Sequence, residues 1–448
     1  MSSEEVRPAP REGVPPVTAW TALAILSLFY ILSSLDRGLF AILSPVIQKS
    51  IKLTDVQLSL LQGVAFSLFF GVAGMPLGWA ADRYSRRWII FLGVIFWSLS
   101  TAATGLASNF LGLFLPRAGV GAGEASLSPC AQSLLADLFP RKRLAFAAAV
   151  YGVSANVGAG IGTAFAGVIL AALTAAGGLV LPLFGHLLPW QAVFVLVGVP
   201  GGLLAALAFL LHEPHRQPGT VVRADASTWG DFFAFIRREP RLLALHFMSF
   251  PMAAMAIYTS AAWMPMFLNR VQHMPIIQIG AALALSTGLT GLIGNLIAGF
   301  VSDRVGQSMP DAYYRISMIT CLISVPFGIA MFLVPSGGLT VILYALFYAT
   351  GGAFAGTATA SLNVIMPESL RGKAFSCYWL WMAVMGAIGP LVAATLTEHV
   401  FRDPMAVGRS AAIVIGVTMP IAALSFRLNL KALRRVVLGQ DTAHQPLK

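Results

Sequence analysis

Twelve runs of mostly apolar residues, each near the roughly 20 residues that a helix needs to cross a bilayer, leave this 448-residue chain few ways to fold. They lie near 18–45, 56–80, 88–107, 110–138, 143–173 and 189–211, then near 243–268, 278–301, 313–335, 338–365, 374–396 and 407–430. The two sets of six are related. Gly78-x-x-x-Asp82-Arg83 recurs as Gly299-x-x-x-Asp303-Arg304, 221 positions later, and Pro140 ahead of Ala145-Phe146 returns as Pro367 ahead of Ala374-Phe375, displaced by 227 and 229. Self-similarity at half the chain length marks a duplicated multi-span unit. The predicted fold is an all-α membrane protein of twelve transmembrane helices in two pseudo-symmetric six-helix bundles, 18–211 and 243–430.

Composition agrees. Hydrophobic residues make up 57% and charged residues 10% of the chain, less than half the charged share of a soluble domain. The net charge of +11 is not gathered on one polar face, so nucleic acid is not an expected partner. With the N-terminus inside, the inner segments hold 22 Lys and Arg and the outer loops five, which predicts both termini cytoplasmic. Residues 1–17, dotted with Pro8, Pro10, Pro15 and Pro16, lack the apolar core of a secretory signal and are expected to form a disordered cytoplasmic tail. Residues 212–242 form a cytoplasmic linker with a surface helix around Trp229–Ile236, and 431–448 form a second tail. Cys130, Cys321 and Cys377 lack the spacing of a disulfide or metal framework and are expected to be packing residues. His212-Glu213-Pro214-His215 supplies too few ligands for a metal and is expected to be a solvated membrane edge. No metal or cofactor is expected.

Charges inside spans cost roughly 2.5 to 3.5 kcal/mol each at mid-membrane, so those that persist need a reason. Four stand out: Asp36 and Arg37 in span 1, Arg117 and Glu124 in span 4. Arg117 and Glu124 are two helical turns apart and share a face, whereas Asp36 and Arg37 diverge by roughly 100°. Asp36, Arg117 and Glu124 are expected to converge, with Arg37 facing the acids or a cavity. A structural clamp of two acids and two arginines would be the bland alternative, but apolar packing stabilises as well or better. Burial favours a neutral carboxyl and a nearby arginine favours the charged one, so a moving arginine would let Glu124 or Asp36 carry a proton. At the 227 offset Arg117 falls on Tyr344 and Glu124 on Gly351, so ion coupling is assigned to the first half. His246, near the inner end of span 7, is expected to be a hydrogen-bonded boundary residue.

The second half is expected to shape a substrate wall, with Tyr258, Thr259, Trp263, Tyr344, Phe347, Tyr348, Trp379, Trp381 and Met385 as candidates. The loop after span 2 carries Asp82, Arg83, Arg86 and Arg87 behind Gly78, a cluster suited to a breakable ion-pair and helix-cap latch. Its weaker copy is Gly299, Asp303 and Arg304. Glycines crowd spans 4, 5 and 11, where small residues let helices approach and rock. No nucleotide-binding loop precedes them, so ATP is not the energy source.

Through the twelve spans, the half-chain repeat, the loop at 78–87 and the R-x-x-x-G-x-G-E run from Arg117 to Glu124, the chain resembles the major facilitator superfamily. Leu35-Asp36-Arg37 and RAGVGAGEASLSP in span 4 look most like the spinster family of lysolipid and sphingolipid transporters, as a bacterial member. Span 1 has Ser33-Ser34 where relatives often show Asn-Tyr. The resemblance implies that Asp36, Arg117 and Glu124 take part in proton-linked conformational change. The WMPMFL end of span 7 is shared with organic-anion and proton symporters.

The expected function is a proton-coupled secondary transporter, not an enzyme, moving a lysolipid- or sphingolipid-like small molecule by alternating access. It would act as a monomer among membrane lipids. A symporter of small carboxylates and a transport-inactive receptor or scaffold are the alternatives. A lipid enzyme would need a nucleophile with its base, and no G-x-S-x-G elbow occurs.

Overall fold

The computed structural model describes residues 15–182, 185–214, 228–306, 309, 311–352 and 354–443. Most of the first tail and the middle of the linker lie outside the described residues.

The first crossing is α1 (Pro16–Ile51), and the second joins α2 (Asp55–Ser59), a π-helical stretch at Leu60–Leu68 and α3 (Phe69–Arg83). The third is α4 (Arg86–Thr104), the fourth α5 (Phe110–Glu124) with α6 (Leu127–Leu138), and the fifth α7 (Arg141–Ala175). A hairpin of β1 (Leu179–Leu181) and β2 (Gly185–Leu187) leads to the sixth, α8 (Pro189–Leu204), which tightens to a 3-10 turn at Ala205–Leu210. The surface helix α9 (Trp229–Arg238) precedes the seventh crossing, α10 (Pro240–Arg270). The eighth is α11 (Ile276–Leu283), a π-helical stretch at Ala284–Thr290 and α12 (Gly291–Gly306); the ninth is α13 (Ala312–Ala330). The tenth is α14 (Gly337–Gly351) with α15 (Phe354–Ile365), the eleventh α16 (Arg371–Thr395) and the twelfth α17 (Val407–Ala443).

Nine helices among the described residues are long and apolar enough to span a membrane. The fourth, eighth and tenth crossings are assembled from shorter pieces, and their interruptions carry the repeat. The fourth breaks at Ala125–Ser126 and the tenth at Gly352, which keeps the 227 displacement that relates Pro140 to Pro367. The π-helical stretches stand at matching places in crossings two and eight.

Local chemistry sets several helix ends. Thr54 and Gln57 close a reciprocal capping box at α2, and the Asn109 side chain accepts the Gly112 N–H at α5. Two features depart from expectation. The short hairpin adds a little β structure, because Gly177 and Gly178 take positive φ, end α7 and turn the apolar Leu179–Leu181 back onto Leu187. The twelfth helix also continues past 430 to Ala443, so the second tail begins as helix.

Within the first half α1 packs along α7, and within the second α10 packs along α17. Glycine makes the α1–α7 contact possible: a Cβ on Gly162 would stand 2.4 Å from the Leu35 carbonyl oxygen. The two halves meet through α7 against α11 and through the Leu60–Leu68 stretch against α16. A Cβ on Gly63 would press on Ala387 at 2.9 Å, and one on Gly167 would approach Ile277 at 3.2 Å. On the same helix faces towards the Arg83 end, a Cβ on Gly74, Gly78 or Gly152 meets no described atom within 4 Å. The halves therefore touch at the Asp55 end and part towards the Arg83 end.

Candidate functional site

The four intramembrane charges form two ion pairs in the first half. Arg117 Nη1 donates to Asp36 Oδ2 at 2.9 Å, and the Thr101 hydroxyl of α4 donates to Asp36 Oδ1 at 2.9 Å. Arg37 Nη1 pairs with Glu124 Oε2, which also accepts the Ser33 hydroxyl at 2.7 Å. Ser34 accepts from Arg37 Nη2 at 2.7 Å. Asp36, Arg117 and Glu124 are buried, whereas the Arg37 side chain is 33% exposed, so only this cation of the four reaches open space.

The predicted convergence holds, with a pairing that spacing alone left open. Because Asp36 and Arg37 point in different directions around α1, each takes a different partner on α5. Arg117 is held over the Phe40 ring at 4.2 Å and near Phe66 at 5.4 Å, and Arg37 stands 5.5 Å from the same Phe66 ring. Glu124 Oε1 and Arg117 Nε have no hydrogen-bond partner among the described residues. Thr101, Phe66 and the two serines were missed from sequence. The serines had a signal: Ser33 and Ser34 lie one helical turn before Arg37 on α1.

Across from Arg37, the second half contributes Tyr258. Its side chain is 46% exposed, packs on Gly386 of α16 and lies within electrostatic reach of Arg37. Trp379 is two turns from Gly386 and shares that face, while Trp381 lies on roughly the opposite side of α16. Tyr348 is half-buried and its ring lies 4.8 Å from that of Tyr344. The remaining wall candidates are corrected. Thr259, Trp263, Tyr344, Phe347 and Met385 are buried between helices of the second half. The Trp263 indole donates to the Pro390 carbonyl at 3.0 Å and Thr259 donates to Met255 of its own helix at 2.7 Å. Trp263 and Thr259 fasten α10 to α16, with Thr259 against Gly389, while Phe347 packs on Gly328 of α13; none of the five presents a wall.

At the closed end an unforeseen cluster joins the halves. Arg270 of α10 contacts both oxygens of Asp55, at 2.7 and 3.0 Å, and the Gln48 side chain at 2.7 Å, and it reaches the Pro404 carbonyl at 2.9 Å. Glu398 accepts the Val56 N–H at the start of α2, at 3.1 Å. Paired halves that touch at one end and part at the other, with charges buried beside the gap, suit a protein that exposes a central site to one side at a time.

Residues 26–390 match the family profile of the Major Facilitator Superfamily. The chain belongs to this superfamily. It is 26% identical over 435 residues to an MFS-type efflux pump of Mycolicibacterium smegmatis, across 96% of this chain and 97% of that protein. To the hexuronate transporter of Bacillus subtilis it is 26% identical over 84% of this chain and 87% of that one. To human protein spinster homolog 1 it is 29% identical over 70% of this chain and 60% of that one. A solved bacterial homologue of the human lysosomal transporter spinster, inward-facing and unoccupied, matches with a TM-score of 0.76 at 23% identity, over 95% of this chain and 99% of that chain. The protein is thus a major facilitator transporter related to the spinster family and to sugar-acid transporters.

In this major facilitator fold the loop after the second crossing is divided in its contacts. Arg86 is buried, and its Nη1 reaches Asp137 of α6 at 2.5 Å and Ser133 at 2.9 Å. Glu213, beyond the sixth crossing, accepts the Arg86 backbone N–H at 2.6 Å, the Arg86 Nε and the Ser85 hydroxyl. The solvated edge expected around Glu213 is therefore corrected: its carboxylate ties α4 to the end of the sixth crossing. These contacts lie within the first half. Arg83 and Arg87 point elsewhere, onto the Trp79 ring at 4.4 Å and the Phe209 ring at 5.9 Å. Asp82 is exposed at the end of α3. In the repeat copy Arg304 lies 5.8 Å from the Phe300 ring, and the side chain of Asp303 and surroundings of Gly299 lie outside the described residues.

Burial pushes the Glu213 carboxyl up, but the Ser85 hydroxyl, the Arg86 N–H and the Arg86 guanidinium together hold it below the ordinary Glu value. Its contribution is therefore complete above the unfolded value of roughly 4.3 and is lost as pH falls through the lower folded value. Glu213→Gln should lower thermal stability near neutral pH by about 1 to 3 kcal/mol. Thermal unfolding at a series of pH values should show the gap to wild type closing at the acid end.

His246 is hydrogen-bonded, as expected, and sits in the second turn of α10. It is buried among α10, α13 and α17, where Nδ1 meets the Tyr314 hydroxyl at 2.8 Å and Asn429 reaches the same hydroxyl at 3.4 Å.

Proposed function

We propose that the protein is a proton-coupled secondary transporter of an amphipathic anion, lysolipid- or sphingolipid-like, working by alternating access. The observation that carries this reading is the Arg37–Glu124 pair, with Arg37 partly exposed and within electrostatic reach of Tyr258 of the second half. An anionic headgroup entering from the gap between the halves competes with Glu124 for Arg37. Once Arg37 turns to the substrate, the buried Glu124 loses its counter-charge, and a buried carboxylate without one favours the protonated form. Substrate and proton are thereby loaded together, and the neutralised centre lets the halves rock about the α7–α11 and α16 contacts. Breaking the Arg270–Asp55 cluster would open the opposite end. Asp36, held by Arg117, fixes the orientation of α1 against α5 and is the second candidate protonation site.

One partly exposed arginine within electrostatic reach of Tyr258 suits a ligand with one anionic group and an apolar body. A sugar acid would ask for several hydroxyl partners as well. The kinship with a hexuronate transporter keeps small carboxylates as the second reading. The excess of Lys and Arg in the loops at the Arg83 end supports a cytoplasmic face there, in a bacterial inner membrane, with the gap opening inward. We take the transporting unit to be a monomer.

Uptake into proteoliposomes under a pH step tests the reading, with a lysophospholipid, a sphingoid phosphate and galactonate as alternative cargo. Accumulation of either lipid should follow the pH step. Accumulation of galactonate alone would replace the substrate assignment, and no accumulation of any cargo would favour a receptor or scaffold.

A further inference from the structure

A second basic cleft lies at the Arg83 end, on the first half and separate from the Arg37–Glu124 centre. It encloses about 720 Å³ between the turn at Arg83–Arg87, Thr18 of α1 and the Phe209–Pro214 segment that ends the sixth crossing. Two guanidiniums line it, Arg83 and Arg87, and His212 stands beside them. Among the described residues the Arg83 guanidinium bonds only to Trp79, through its ring and a 3.5 Å bond to its carbonyl, and Arg87 Nε has no hydrogen-bond partner. Glu213 also lines the cleft, but both of its oxygens are engaged by Ser85 and Arg86. Among the described residues neither Arg83 nor Arg87 forms an ion pair, whereas Arg86 takes both Asp137 and Glu213.

The surroundings say what kind of anion fits. Trp79, Tyr84 and Trp88 are exposed around the turn, as aromatic residues are at a membrane–water boundary. Trp88 meets Phe209 edge-on with ring centroids 5.0 Å apart, so the cleft floor is continuous with the apolar surface of α4 and the sixth crossing. From there Leu92 and Phe96 on α4, with Leu203 and Leu210 on the other side of the seam, present exposed apolar surface along the membrane-spanning length. A headgroup in the cleft would have its acyl chains on that surface. A soluble anion would leave it unused.

We propose that this cleft binds the anionic headgroup of a membrane phospholipid, with Arg83 and Arg87 as its phosphate partners. The lipid would brace the turn between α3 and α4 from the membrane side, while Arg86 braces it from within. Lipid-depleted full-length protein in detergent, titrated with dioleoyl phosphatidylglycerol, dioleoyl phosphatidylcholine or inorganic phosphate, tests this by thermal midpoint and by native mass spectrometry. Phosphatidylglycerol alone should raise the midpoint and be retained, and the Arg83→Gln, Arg87→Gln double variant should bind it about tenfold or more weakly. Equal response to phosphatidylcholine, an equal shift with phosphate, or unchanged binding in the double variant would overturn the proposal. Should that variant fail to fold, a phosphatidylglycerol with a photoreactive acyl chain answers the question on the wild-type chain. Labelling should fall on the Trp88–Phe96 and Leu203–Leu210 segments, and labelling confined to other helices would refute the site.

Discussion

Glu124→Gln should abolish accumulation driven by a pH step while leaving exchange of substrate at equal pH intact. One proton carried with each anion makes the cycle electroneutral, so each pH unit across the membrane supports about a tenfold gradient of substrate. A two-unit step therefore drives roughly hundredfold accumulation in the wild type and none in the variant. The glutamine amide keeps the shape of the side chain and can still accept from Ser33, but it cannot hold Arg37 as an anion or exchange a proton. Arg37 should then be free for substrate in every state, so binding persists while coupling is lost. Proteoliposomes loaded at two internal pH values make the measurement. Retention of the full gradient by Glu124→Gln would remove this carboxylate from the coupling mechanism.

The second large effect concerns the deeper pair. Arg117→Leu leaves Asp36 as a buried charge with only the Thr101 hydroxyl beside it, and removing one partner of a buried ion pair costs about 3 to 5 kcal/mol. Thermal unfolding in detergent should register that loss. The double variant Asp36→Asn, Arg117→Leu should recover most of it, because no unpaired charge remains and the leucine can pack on Phe40 and Phe66. Transport by the recovered double variant separates two roles that stability cannot. A structural clamp would let it accumulate substrate with full pH coupling. We expect a folded protein whose uptake no longer responds to the pH step, since the pair orients α1, and with it Arg37, against Glu124.

The sequence by itself determined the number of crossings, their duplication and the residues that matter most. Apolar length is a local property, because a helix in lipid satisfies its backbone hydrogen bonds within one segment. Even the interruptions at Ala125–Ser126 and Gly352 follow the repeat already visible at Pro140 and Pro367. Charged residues in apolar runs announce themselves by their cost, which is why Asp36, Arg37, Arg117 and Glu124 were legible before any contact was known. Only the tertiary structure decided how they pair, because that depends on the rotation of α1 against α5 rather than on spacing along either helix. Aromatic candidates were least legible: Tyr258 and Trp263 sit on one helix five residues apart, yet one faces the gap and the other is sealed against Pro390. The bonds of Arg86 to Glu213 and of Arg270 to Asp55 join residues more than a hundred positions apart. Each of these residues reads as an ordinary loop charge until the fold brings its partner to it.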